Sequence, residues 1–215
     1  MNSEKLLKVI DLFIDKREDS LYKKPFLFNG KICATDKMSM VITPEMSEEY
    51  EDMTEKISKM YPPKPINELL RLDDLKIAYS NVLLLDCYDE VDKECSECGG
   101  DGNVDFEYHY DNSIFYTEGE CPACEGEGHA LEEADEPNGK KRPDCTKFIC
   151  IKESVFQAQQ VSKLIALSDI LGVSEIFLNH QPKATAISLF TIGECEVTIA
   201  PVRMDLNDPC IVAKL

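Results

Sequence analysis

The stretch that decides how this chain is organised is Cys95-Ser96-Glu97-Cys98-Gly99-Gly100-Asp101-Gly102, answered later by Cys121-Pro122-Ala123-Cys124-Glu125-Gly126-Glu127-Gly128. Both have the form C-x-x-C-x-G-x-G. A tight turn between two cysteines puts both sulfurs on one side of a metal ion, within about 2.3 Å of a zinc. The glycines admit positive φ, and their N–H groups can point at the sulfurs. Two such knuckles close a tetrahedron of four thiolates, from Cys95, Cys98, Cys121 and Cys124. One structural zinc ion is therefore the expected cofactor. No coordination position remains for water, so the ion is not expected to be catalytic. A redox dithiol or another thiophilic metal is the alternative reading of the same residues.

Between the knuckles, residues 104–116 alternate apolar and polar, with a turn signal at Asp111-Asn112. This pattern predicts a β-hairpin projecting from the knuckles. Its aromatic side chains, Phe106, Tyr108, Tyr110, Phe115 and Tyr116, either pack a thin finger or form a docking surface for a protein. Residues 90–145 lose hydrophobic periodicity and are rich in Gly, Asp, Glu and Cys, so they read as an insert. Residues 1–89 and 146–215 then form one discontinuous core.

The core reads as α+β. Ser3 is placed to cap a helix reaching Lys16, with Leu6, Leu7, Ile10, Phe13 and Ile14 at helical spacing. Asn29-Gly30 between two apolar runs signals a tight hairpin. A further strand is expected at residues 38–43. Residues 45–60 read as an acidic helix or mobile segment, Tyr61-Pro62-Pro63-Lys64-Pro65 as stiff punctuation, and residues 66–72 as a short helix. Strands are expected at 76–79, 81–87 and 147–151, then a helix over 154–171 stopped by Gly172. Three strands follow, at 175–178, 184–190 and 195–200, with Gly193 turning the last pair. The two ends of the chain thus share an order of helix and three strands, read either as duplicated halves or, since few residues match between them, as two unrelated α+β stretches.

The 215 residues are 43% hydrophobic and carry a formal charge of -18. Such a composition suits a folded domain, and the charge disfavours nucleic acid while leaving room for a local basic face. The N-terminus leads into an amphipathic helix rather than a secretory leader, and no apolar run is long enough for a membrane span. A cytoplasmic setting is expected, where ten cysteines suggest metal ligation before disulfides.

Cys33, Cys87, Cys150, Cys195 and Cys210 read as small apolar residues in or beside strands, and Cys145 lacks the flanking glycines. His109 and His129 lie close enough to the knuckles to substitute for a ligand, although four thiolates suffice. His180 reads as a loop residue, and Lys140-Lys141-Arg142 as a solvated loop. No phosphate-cradling loop, nucleophile elbow or clustered acid/base pair stands out, so no catalytic residue is assigned.

On its two C-x-x-C-x-G-x-G repeats, the stretch 95–128 resembles the cysteine-rich zinc domain of DnaJ-type chaperones. That domain has four repeats and two zinc ions, so the resemblance implies one ion here. The chain has no His-Pro-Asp tripeptide, the J-domain signature, so chaperone activity does not follow from the motif. Phe28-Asn29-Gly30-Lys31-Ile32-Cys33-Ala34-Thr35-Asp36 and the stretch 155–203, ending in Ala200-Pro201-Val202-Arg203, resemble a domain of the bacterial DNA polymerase sliding clamp. The resemblance implies a core of two helix-plus-β-strand halves. A clamp chain has three such domains and no zinc insert, whereas this chain has room for one domain.

Three function classes follow. The first is a non-enzymatic interaction protein, with a sliding-clamp-like role in DNA replication or in a mobile element. The second is a chaperone-like binder of polypeptides, and the third an enzyme whose site the sequence hides. The expected partner is a protein, no membrane is expected, and self-association is open because a ring would need several copies.

Overall fold

A computed structural model describes residues 1–58, 61, 68–111, 113–180 and 183–215. The chain divides into two compact units, one of Met1–Leu84 with Pro143–Leu215 and one of Leu85–Arg142.

In the first unit, helix α1 (Ser3–Phe13) is followed by β1 (Phe26–Phe28), β2 (Lys31–Thr35) and β3 (Ser39–Met46). Asn2, not Ser3, is the N-cap, and its side chain accepts from the Lys5 N–H at 2.8 Å. The helix stops at Phe13 because the next residues have stronger local partners. The Asp15 carboxylate accepts from Arg17 Nε at 3.0 Å, Arg17 Nη2 at 2.7 Å and Ser20 Oγ at 2.7 Å. Such side-chain turns compete with the helical ladder. Asn29 and Gly30 both have positive φ, 51° and 75°, as a type I′ hairpin between twisted strands requires.

Helix α2 (Thr54–Ser58) occupies part of the acidic stretch, while Glu45 and Met46 extend β3. Strand β4 (Glu68–Arg71) and helix α3 (Leu72–Ser80) replace the helix expected at 66–72 and the strand expected at 76–79. Leu70 pairs opposite Ile176 at the sheet edge. Leu72, Leu75 and Ala78 recur every third residue on the buried side of α3, and Asp73 and Asp74 sit in its favourable first turn. Residues 62–67, which hold most of the proline run, lie outside the described residues. The strand expected at 81–87 starts only at Leu84, with β5 (Leu84–Glu94).

After the second unit come β9 (Phe148–Ile151), β10 (Ser154–Gln157) and α4 (Ala158–Leu171). Residues 154–157 form a strand instead of the first helical turn because they pair with β9 across a bend at Lys152, φ 58°. Gly172 ends α4 in the left-handed conformation, donating its N–H to Ser168 O at 2.8 Å. Strands β11 (Glu175–His180), β12 (Ser188–Ile192) and β13 (Cys195–Ile199) follow, then β14 (Ile211–Lys214). His180 is thus the last residue of a strand rather than of a loop, and β12 begins later than expected. Residues 181 and 182 lie outside the described residues.

The strands assemble as a seven-stranded sheet, β1-β2-β3-β13-β12-β11-β4, and a three-stranded sheet, β10-β9-β14. At the centre of the larger sheet β3 runs antiparallel to β13, with Val41 opposite Val197 and Met40 opposite Thr198. Each side of this junction is a helix followed by a three-stranded meander, α1-β1-β2-β3 and α4-β11-β12-β13. On one face Ile32, Ala34, Val41, Phe190, Val197 and Ile199 join the main core with α1 and α4. On the other face Phe26, Phe28, Cys33 and Ile42 meet Ile57 of α2. Strands covered on both faces need a nearly continuous apolar run, which is why β1 and β2 do not alternate.

The second unit contains β5 paired with β8 (His129–Pro143), and β6 (Asn103–Tyr110) paired with β7 (Ser113–Glu120). Lys140, Lys141 and Arg142 belong to β8 and not to a loop, and Lys141 forms an ion pair with Asp86. No described helix is long and apolar enough to cross a membrane.

One buried ion pair ties α4 to the β2–β3 turn. Lys163 Nζ lies 2.6 Å from Asp36 Oδ2 and 5.3 Å from the centre of the Phe13 ring. Burial alone would raise the Asp36 carboxyl; the Lys163 ammonium outweighs it and holds the group below its usual range. A carboxyl depressed in the folded state stabilises the fold above its unfolded pKa, and that contribution is lost as pH falls through the folded value. Asp36→Asn is therefore expected to cost about 3 kcal/mol near neutrality, because it leaves Lys163 buried without its counter-ion. The deficit should shrink below about pH 4. Urea unfolding across pH measures both, and a deficit independent of pH would count against this account of the pair.

Candidate metal centre

The two knuckles brace each other. Cys95 N–H donates to Gly128 O and Cys121 N–H donates to Gly102 O, each at 2.8 Å, so each knuckle starts on the last glycine of the other. Gly102 and Gly128 both have φ +77°. A Cβ at Gly102 would lie 2.3 Å from Gly126 O, and one at Gly128 would lie 2.3 Å from Gly100 O. Only glycine fits either position on both counts.

This framework aims the sulfurs inward. Cys95 Sγ lies 3.8 Å from Cys121 Sγ, and Cys98 Sγ lies 3.8 Å from Cys124 Sγ. All four sulfurs fall within 4.8 Å of one another. Thiolates about 2.3 Å from a tetrahedral zinc stand about 3.8 Å apart, whereas a disulfide needs about 2.05 Å. Gly102 N–H points at Cys98 Sγ at 3.2 Å and Gly128 N–H at Cys124 Sγ at 3.3 Å. Such donors stabilise thiolate charge and orient the ligand. Cys95, Cys121 and Cys124 are buried, with Cys98, Val104 and Ala130 packed against them. The residues present therefore fit a thiophilic ion such as zinc.

The remaining candidates stay outside this cluster. His109 Nε2 faces Glu107 at 2.8 Å and His129 Nδ1 lies 3.8 Å from Asp92, so neither joins the four sulfurs. Cys33, Cys150 and Cys195 are buried in strands of the first unit, and Cys145 is exposed. Burial pushes the Cys33 thiol up to about 12 and the Cys195 thiol to about 11, which keeps both as neutral core side chains.

Two features of the first unit carry no sequence motif. One is the Lys163–Asp36 pair: Lys163 sits among apolar positions of α4, and only its depth, 8% exposed, shows that it points inward. The other is a cleft of about 310 Å³ beside the β3–β13 junction, lined by Tyr22, Met38, Met40, Ile57, Ile187 and Ala200 among others. Its lining comes from separate segments that only the folded sheet brings together.

No protein-family model matches this chain, and no curated protein matches it in sequence. Its structural neighbours include the DNA polymerase III beta chain of Streptococcus pneumoniae, at 10% identity and a TM-score of 0.47, covering 94% of this chain and 62% of that one. They also include the DNA polymerase sliding clamp of Pseudomonas aeruginosa, at 9% identity and a TM-score of 0.46, covering 93% of this chain and 63% of that one. A third is a putative DNA polymerase III beta subunit of Eubacterium rectale, at 9% identity and a TM-score of 0.45, covering 94% and 64%. The chain spans less than two thirds of the length of each.

Proposed function

We propose that this chain is a non-enzymatic interaction protein in which Cys95, Cys98, Cys121 and Cys124 hold one structural zinc ion. The ion orders a finger of DnaJ type, residues 90–145, inserted into a discontinuous core of residues 1–89 and 146–215. The observation that carries this reading is the spacing of the four sulfurs, two of them backed by glycine N–H donors. Zinc held by four thiolates has no open position, so it supplies folding energy and not a reactive water. In a unit whose buried cluster is little more than the cysteines themselves, that energy stands in for a hydrophobic core.

For the core we propose a sliding-clamp-like accessory role in DNA replication. The support is the pairing of two helix-plus-meander halves across β3 and β13. The cleft beside that junction is apolar and open, and it suits a short apolar segment of a protein partner. Encirclement of DNA would require several copies. A ring-sized mass by light scattering supports this part, and a chain that stays monomeric at high concentration overturns it.

Protein purified without added metal is expected to contain one zinc per chain by elemental analysis. Cys98→Ser should lose the ion and the protection of the second unit from hydrogen exchange, while the first unit keeps its own. Metal-free protein with an ordered second unit would overturn the reading.

A finer outcome concerns the glycines. Gly102→Ala should weaken zinc retention by about 10- to 100-fold in competition with a chelator, because the sulfur's N–H donor is displaced. Gly139→Ala serves as the control, since Gly139 also has positive φ but an added Cβ there meets nothing within 4 Å. Equal losses in both variants would assign the effect to backbone strain alone.

A further inference from the structure

The β6–β7 hairpin has two faces that differ in charge, one without carboxylates and one rich in them. Its ladder sets Tyr108 opposite Phe115, Phe106 opposite Thr117 and Tyr110 opposite Ser113. Side chains alternate along each strand, so Phe106, Tyr108, Tyr110 and Phe115 share one face. The Tyr108 and Phe115 rings stack at 5.2 Å with 16° between their planes. None of the four is enclosed: Phe106 is 41% exposed, Phe115 42%, Tyr108 52% and Tyr110 72%. The opposite face carries Asp105, Glu107, Glu118 and Glu120 around the exposed Ile114 and Tyr116, with His109 beside them, so it is the more acidic of the two.

The surrounding charge is one-sided. Leu85–Arg142 contains 18 acidic and 4 basic residues, a net of -14 out of the chain's -18. Such a field repels a second copy of the same unit and repels phosphate. It attracts a cationic surface, and exposed aromatic rings accept Arg and Lys by cation–π contact as well as apolar anchors.

We infer that the aromatic face of the β6–β7 hairpin docks a basic protein segment, one that presents Lys or Arg side chains around apolar anchors. The inference rests on the metal-ordered finger proposed above. The apolar rings supply the contact area, and the acidic surroundings supply orientation and partner choice. The field selects against acidic proteins and nucleic acid.

The test uses the whole 215-residue chain, purified without added metal or chelator, and fluorescence anisotropy. Three labelled peptides of equal length serve as probes. One alternates Lys/Arg with Leu/Phe, one replaces its cations by Glu/Asp, and one replaces its apolar residues by Gly/Ser. A DNA duplex is the fourth probe. The basic apolar peptide is expected to bind tightest, more weakly at about 0.3 M salt than at low salt. The double variant Tyr108→Ser with Phe115→Ser should weaken it about tenfold. Tyr110→Ser, at a more exposed ring outside the stacked pair, should weaken it in the same direction without disturbing the hairpin. Unchanged affinity in both variants, equal affinity for the acidic peptide, or tighter binding of the duplex would overturn the inference. Elemental analysis of the same samples separates the two readings. Metal without selective binding sinks the docking face alone, whereas selective binding by metal-free protein sinks the zinc finger alone.

Discussion

The antiparallel pairing of β3 with β13 is the constraint on which the first unit depends. It joins Ser39–Ile42 to Glu196–Ile199, segments from opposite ends of the chain, and makes one sheet of two meanders. Without it the helices α1 and α4 would lose the shared surface over which they pack. Long-range pairing carries a loop-closure cost that grows only slowly with the length of the intervening chain. An insertion between the halves is therefore tolerable if its ends return to the same place. Here they do: Asp144 N–H donates to Leu83 O at 2.9 Å, and β5 pairs with β8.

The second unit shows what happens when sequence supplies too little apolar material for that kind of closure. Most side chains of its β6–β7 hairpin are exposed, and its buried cluster consists of Cys95, Cys121 and Cys124. The ladder of β6 and β7 satisfies their facing backbone groups, but a two-stranded hairpin is marginal by itself. The cross-bracing of Cys95 to Gly128 and of Cys121 to Gly102 adds only two hydrogen bonds. Among the described residues of this unit, the four-sulfur cluster would contribute folding energy on the scale of a core if it held a thiophilic ion. Four thiolates this close would repel one another, and a cation between them would turn that repulsion into attraction.

Much of this was legible in the sequence because the signals were local. Asn29-Gly30 demanded a tight turn and made one, and Gly172 and Gly193 marked a helix end and a strand turn through backbone conformations that side chains disfavour. The four cysteines, with glycines at fixed offsets, announced their convergence. The misread segments were those where tertiary pairing overrode local pattern. Residues 68–80 mix apolar residues at spacings compatible with strand or helix, and only the edge position opposite β11 decides that Glu68–Arg71 is extended. Ser154–Gln157 continues smoothly into a helical pattern, yet its backbone is claimed by β9. The cleft and the Lys163–Asp36 pair left no trace at all, since each joins residues far apart in the chain and carries no motif.

Charge distribution then decides what the first unit could bind. The first unit carries 23 acidic and 19 basic residues, close to balance, so nearly all of the chain's negative field belongs to the second. Balance alone does not make a phosphate-binding face. Around α1, Lys8 pairs with Glu4, Lys16 with Asp11 and Arg17 with Asp15. On α4 the single lysine is turned inward to Asp36. Exposed pairs are individually weak and could be exchanged for phosphate contacts. The Lys163–Asp36 pair could not, because breaking it would strand a charge in the core. Counter-ion release, the main source of affinity for DNA, needs a surplus of mobile cations on one face. Of the described cations on and beside these two helices, Lys5 alone is not held by a carboxylate of the same chain, its Nζ lying 3.5 Å from the Leu171 carbonyl oxygen, so these helices offer little surplus cation for phosphate.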